Sequence, residues 1–172
     1  DIDPRHLEIL SSMVPAEDRE RLVLKPGAFP DGLNLEPHSI GSALGCRVLH
    51  FFDGPAIERA AACLFLWLRS GGKVFVVAET PYLRNFQSFI PIYEERKKAG
   101  DPWPGYITDV MAIAPERGKS LPARIHFLDP VVLARVFSAA GFRIEKTNTI
   151  PRPDFPTDLQ WDGRESVGLV AV

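Results

Sequence analysis

Glu79-Thr80-Pro81-Tyr82 sets a carboxylate, a hydroxyl and a phenol side by side at the end of the run Lys73 to Ala78. Such a trio can contact a polar substrate or move a proton. The plain alternative is a turn in which Thr80 caps and Pro81 opens the next helix. An unperturbed imidazole has a pKa of about 6.5, so a residue such as His50 could serve as a general base. A single histidine between Leu49 and Phe51 is equally suited to being packed and hydrogen-bonded. Upstream of it, Gly45-Cys46-Arg47 ends a small, apolar run, and Arg47 is either a ligand-binding cation or a surface charge at a helix start. Cys46 and Cys63 lack the CxxC spacing of a zinc site or redox pair, so neither a metal nor a disulfide framework is expected. Trp103, Tyr106 and Met111 sit in a loop that could form a lid, a substrate wall, a hydrophobic cover or a dimer contact.

These residues need a frame. Lys73 to Ala78 (KVFVVA) is nearly all β-branched or aromatic, the composition of a central strand covered on both faces. Before it, Ile57, Ala60, Ala61, Leu64 and Leu68 share one helical face over Pro55 to Arg69, and Ser70-Gly71-Gly72 stops that helix. Asp3-Pro4 and Asp129-Pro130 each place a capping acid before a proline at the first helical position. The first helix carries Leu7, Leu10 and Met13; the second carries Leu133, Val136, Phe137 and Ala140, and ends at Gly141. Arg21 to Lys25 predicts a brief strand, Ser39 to Cys46 a buried one, and Phe142 to Thr149 and Ser166 to Val172 two more. Residues 81–122 read as an irregular insertion of the kind that is usually functional, with one helix near Leu83 to Lys98. Arg96-Lys97-Lys98 would be its solvated end, and His126 a structural residue. Alternation of strand and helix predicts one α/β domain over 1–172, a mostly parallel sheet with helices on both faces.

The chain has 172 residues and a formal net charge of -2, with no long basic run, which argues against a nucleic-acid partner. No apolar stretch approaches the roughly 18 residues of a membrane span, and a cytoplasmic setting is expected. A small-molecule substrate remains the expected partner, with a homodimer open.

Two junctions carry a resemblance. Leu66-Trp67-Leu68-Arg69-Ser70-Gly71-Gly72-Lys73-Val74-Phe75-Val76-Val77 and Phe137-Ser138-Ala139-Ala140-Gly141-Phe142, with Asp1-Ile2-Asp3-Pro4 before them and Val48-Leu49-His50-Phe51-Phe52 between, resemble class I S-adenosylmethionine-dependent methyltransferases over nearly the whole chain. The resemblance implies a Rossmann-like sheet of seven strands whose last strand is inserted antiparallel beside the sixth. It implies S-adenosylmethionine as cofactor. Asp1 would take the ribose hydroxyls, Ala28 and Phe29 would face the adenine, and Cys46 and Arg47 the methionine part. His50, Glu79 and Tyr82 would orient or deprotonate the acceptor. Two features depart from the family. Ala28 stands where an acid is common, and the first strand with its Gly-x-Gly loop has no counterpart. The expectation is therefore an N-terminally incomplete domain whose upstream part exists in the full protein, residues 1–172 alone binding the cofactor weakly or not at all. The other readings are a catalytically inactive methyltransferase-like binding or regulatory module and, against the expected antiparallel last strand, a nicotinamide-dependent dehydrogenase.

Overall fold

The computed structural model describes all of residues 1–172, which fall into two compact units, 1–36 and 37–172.

In the smaller unit Asp3 caps helix α1 (Pro4–Met13), accepting the Arg5 N–H at 2.9 Å, with Pro4 opening the helix as its sequence predicts. The expected apolar face stays open, and Leu10 and Met13 are exposed. The predicted strand at Arg21–Lys25 does not form. Arg21 instead ends a 3-10 helix (Ala16–Arg21), and Val23 is 75 % exposed. A strand needs a partner along its length. Here Asp1 supplies one rung, its amino group donating to Lys25 O at 3.3 Å and its carbonyl accepting from Gly27 N at 3.0 Å.

The larger unit holds a four-stranded sheet, with β1 (Ile40–Cys46), β2 (Leu68–Glu79), β5 (Ile144–Ile150) and β6 (Ser166–Ala171) in the order β1-β2-β6-β5. β1 and β2 are parallel, and β6 runs antiparallel to both β2 and β5. Three strands thus share a direction and the last reverses between two of them, the insertion that the resemblance implies, although the sheet has four strands and not the seven implied with it. The registers Cys46↔Val77, Glu79↔Ser166 and Ile150↔Ser166 bring the carboxyl ends of β1, β2 and β5 to one rim. β2 is central, as its composition requires. β1 pairs on one side only, so the burial expected for it is not reached, and Leu44 is 71 % exposed.

Helix α2 (Gly54–Trp67) starts on Asp53, which accepts the Ala56 N–H at 2.9 Å, and buries Ile57, Ala60 and Ala61 completely. It passes straight into β2 at Leu68. The Gly71 left-handed turn (φ +74°) lies in the irregular step where β2 settles into register with β1. Helix α6 (Pro130–Ala139) starts on Asp129, which accepts Val132 N at 2.7 Å, and stops at Gly141 (φ +111°), where a side chain would collide with the Phe65 ring. α2 and α6 touch one another and the sheet. No helix is long and apolar enough to cross a membrane.

Residues 81–128 are more ordered than their sequence suggests. The helix expected near Leu83 to Lys98 is split into a 3-10 turn (Arg84–Phe89), bent at Phe86, and α3 (Ile90–Lys98), because Pro91 offers no N–H to a preceding turn. Strand β3 (Tyr106–Ile107), the short helices α4 (Val110–Ile113) and α5 (Pro115–Gly118), and strand β4 (Ile125–His126), antiparallel to β3, complete the segment. It has its own apolar cluster of Tyr82, Leu83, Phe86, Phe89, Tyr93 and Phe127 with their neighbours. Phe86 and Phe127 meet edge to face at 4.8 Å, and each such side chain, fully buried, stabilises by roughly 1.5–3 kcal/mol. The α3 end is not simply solvated. Arg96 donates to Tyr106 O at 2.8 Å, and Lys97 Nζ lies 3.1 Å from Asp129 Oδ2.

Candidate active site

At the rim formed by the carboxyl ends of β1 and β2, three ionisable side chains converge. Arg47 follows β1 in a left-handed conformation (φ +56°), its N–H donating to Val77 O at 2.8 Å, which turns its side chain across the end of β2. His50 lies in a single 3-10 turn, Leu49–Phe51, and Glu79 is the last residue of β2. Arg47 Nε donates to Glu79 Oε1 at 2.6 Å, and His50 Nδ1 lies 2.7 Å from Glu79 Oε2. The second contact is close but bent, and neither of its atoms has another hydrogen-bond partner. Glu79 is 6 % exposed, as is His50. Burial works against charge on Glu79, yet His50 and then Arg47 outweigh it and hold the carboxyl below the ordinary range.

With Nδ1 turned to a carboxylate, the other ring nitrogen, Nε2, is left as the one to accept a proton. His50 lines two small cavities. One, about 60 Å³, is walled by Arg47, Glu79, Arg117, Phe127 and Phe155; the other, about 120 Å³, by Asp53, Tyr106 and Arg124. A larger hollow of about 550 Å³, lined by His38, Phe65, Leu68, Arg69 and Phe142, lies at the opposite, amino end of the parallel strands β1 and β2. In open α/β sheets ligands bind outside the carboxyl ends of the strands, so the rim cluster is the better candidate despite its smaller volume.

Tyr82 does not join the cluster. Its hydroxyl donates to Glu94, Arg164 stacks over its ring at 3.5 Å, and burial followed by the Glu94 carboxylate pushes the phenol up to about 12. Thr80 is used locally, donating to Arg164 O and accepting from Tyr82 N. Cys46 is exposed at the end of β1. In the smaller unit, Asp1 Oδ1 accepts the Asp3 N–H at 2.8 Å and lies 3.4 Å from His6 Nδ1. Ala28 is exposed and Phe29 half-buried. Trp103 and Tyr106 pack on the ring of His126, each with centroids 5.1 Å away, and Met111 stays exposed. His126 contacts Phe52 O at 3.1 Å, and burial lowers its pKa to about 4, so it is neutral.

Residues that the sequence patterns did not flag come from 151–165, the connection between β5 and β6. Phe155 walls the small cavity, with Arg152 at 4.0 Å and Arg47 at 5.4 Å from its ring centre. Glu165, buried, ties the connection down by accepting from Trp161 N, Gly163 N and Arg152 N at 2.7, 2.9 and 3.2 Å. The usable signal was length. A long, proline-bearing connection inside a domain is commonly functional.

No family model matches the sequence, and no curated protein matches it. Solved structures do. A methyltransferase dependent on S-adenosylmethionine from Mesorhizobium loti superposes with a TM-score of 0.64 at 16% identity, over 99% of this chain and 77% of that one. A chain from the complex of the Haloferax volcanii Trm112 methyltransferase activator with a methyltransferase gives 0.61 at 15%, over 100% and 68%. The glycopeptide N-methyltransferase MtfA, also solved with S-adenosylmethionine, gives 0.59 at 14%, over 98% and 68%. The strand order β1-β2-β6-β5, with its reversed inserted strand, and these superpositions together give the chain the fold of the S-adenosylmethionine-dependent methyltransferases.

Proposed function

We propose that the protein is an S-adenosylmethionine-dependent methyltransferase acting on a small-molecule acceptor. The observation that supports this most is the convergence of Arg47, His50 and Glu79 at the carboxyl rim of a sheet with this strand order. Arg47 uses Nε on Glu79 and keeps its terminal nitrogens for a carboxylate such as that of methionine. In the smaller unit Asp1, with Oδ1 on Asp3, would take the ribose hydroxyls. Phe29, with Ala28 beside it, would face the adenine, and Cys46 would border the methionine part.

When bound, S-adenosylmethionine supplies a methyl group already activated by its sulfonium sulfur. The protein then has to align an acceptor, exclude water and remove a proton where the acceptor carries one. Glu79 holds His50 with Nδ1 toward the carboxylate. Nε2 could then take the proton that an acceptor hydroxyl or amine gives up on methylation. Glu79 itself, paired on both oxygens and held ionised, is better placed to orient and to balance charge than to act as the base. Tyr82, protonated and bound to Glu94, would not act as the base.

Isothermal titration of the full-length protein with S-adenosylmethionine tests the cofactor, and transfer of a labelled methyl group to small acceptors tests the reaction. Saturable binding at one site with turnover is expected. Absence of binding would remove the reading, and binding without transfer to any acceptor would favour an inactive binding module.

A further inference from the structure

The small cavity beside His50 has more cationic than anionic groups in its wall. Arg47 and Arg117 face one acid, Glu79, whose two oxygens already meet Arg47 and His50. Arg117 takes no part in that cluster. It sits in α5, its neighbour Glu116 is engaged by Lys119 at 2.8 Å, and its Nε is buried with no hydrogen-bond partner. A buried guanidinium N–H without an acceptor is an unfavourable arrangement that an incoming anion would relieve. The rest of the wall is apolar, with Leu83, Phe86, Phe127 and Phe155. The volume of about 60 Å³ is near the share of liquid taken by roughly two waters.

We infer that this cavity receives the carboxylate end of an organic acid, with Arg117 as its charge partner. The Nε–H and a neighbouring terminal N–H of a guanidinium form a side-on fork that matches two carboxylate oxygens. Apolar walls suit the carbons behind the acid, which inorganic phosphate does not bring. Naming that acid as the methyl acceptor rests on the methyltransferase reading; the binding site itself does not. The acid would be anchored within reach of His50, which lines the same cavity.

The test is titration of the full-length protein with butyrate, with butyramide as a neutral match in shape, and with inorganic phosphate, followed by chemical-shift changes. Butyrate should bind at least ten-fold more tightly than butyramide or phosphate. Arg117→Gln should weaken butyrate at least ten-fold, and Arg117→Lys should restore part of the loss. Equal binding of butyrate and butyramide, tighter binding of phosphate, no butyrate binding, or an unchanged affinity in a folded Arg117→Gln variant would overturn the inference. If Arg117→Gln does not fold, the comparison of butyrate with butyramide on the unaltered protein decides. Calorimetry with S-adenosylmethionine runs alongside. Butyrate selectivity without cofactor binding supports the acid site and removes the methyltransferase reading, and cofactor binding without butyrate selectivity does the reverse.

Discussion

Glu79 and Asp129 are both nearly inaccessible acids whose carboxyls are held below the ordinary range against the effect of burial, yet their partners differ in kind. Asp129 is enclosed by structure. It accepts the Tyr93 hydroxyl and the Val132 N–H that starts α6, and lies 3.1 Å from Lys97 Nζ, joining α3 to α6. Glu79 meets Arg47, whose side chain is 51% exposed, and His50, which borders two cavities. The same electrostatic device therefore fastens two helices in one place and holds a histidine beside two cavities in the other. What separates them is whether the partners have anywhere to reach.

The largest effect should come from Asp129→Ala. It removes a helix cap and leaves the Tyr93 hydroxyl buried without an acceptor, a loss of about 4 kcal/mol. That corresponds to a fall in melting temperature of roughly 10 °C for a chain of this size, readable by calorimetry. His126 offers a third buried titrating group that marks how far burial alone reaches. Its pKa is lowered from 6.5 to about 4, so between those values the unfolded chain binds the proton that the folded one refuses. Stability should decline as pH falls from 6.5 toward 4, by about 3 kcal/mol in all, and His126→Phe should flatten that slope in pH-dependent denaturation curves. The two lowered carboxyls add a further loss below the ordinary carboxylate range, since the stability they contribute is lost as pH falls through their folded-state values.

Glu79→Gln is the direct test of the contrast. Turnover should drop on the order of a hundred-fold, about 2.7 kcal/mol in barrier, with less loss of melting temperature than Asp129→Ala causes. Equal stability losses with turnover intact would make Glu79 a second structural clasp and erase the distinction. The smallest change is expected for Tyr82→Phe, which removes one hydroxyl bond to Glu94 and should cost about 1 kcal/mol of stability without altering the pH profile of turnover.

Much of this frame was legible in the residues. β2 was visible because Val74, Phe75, Val76 and Val77 form an unbroken β-branched and aromatic run, and α6 because Asp129-Pro130 and Gly141 bracket an apolar stripe. Arg21–Lys25 has strand composition too, but pairing is a property of the partner, which no local pattern contains. The rim residues Arg47, His50 and Glu79 were each nameable, although their meeting depends on the β1-β2 register and on the left-handed turn at Arg47. Arg117, Arg152 and Phe155 were not nameable. They come from turns and a strand connection that have no periodicity, and only three-dimensional closure brings Arg117 and Phe155 to one cavity.

The reversed strand has a consequence for assembly. β5 reaches β2 only by way of β6, which lies later in the chain than either. During synthesis, then, two strand edges must wait unpaired until that final rung is made, so the half of the sheet bearing Glu79 closes by a distant contact rather than a neighbouring one. Losing β6 would open the layer in its middle and release β5 with it.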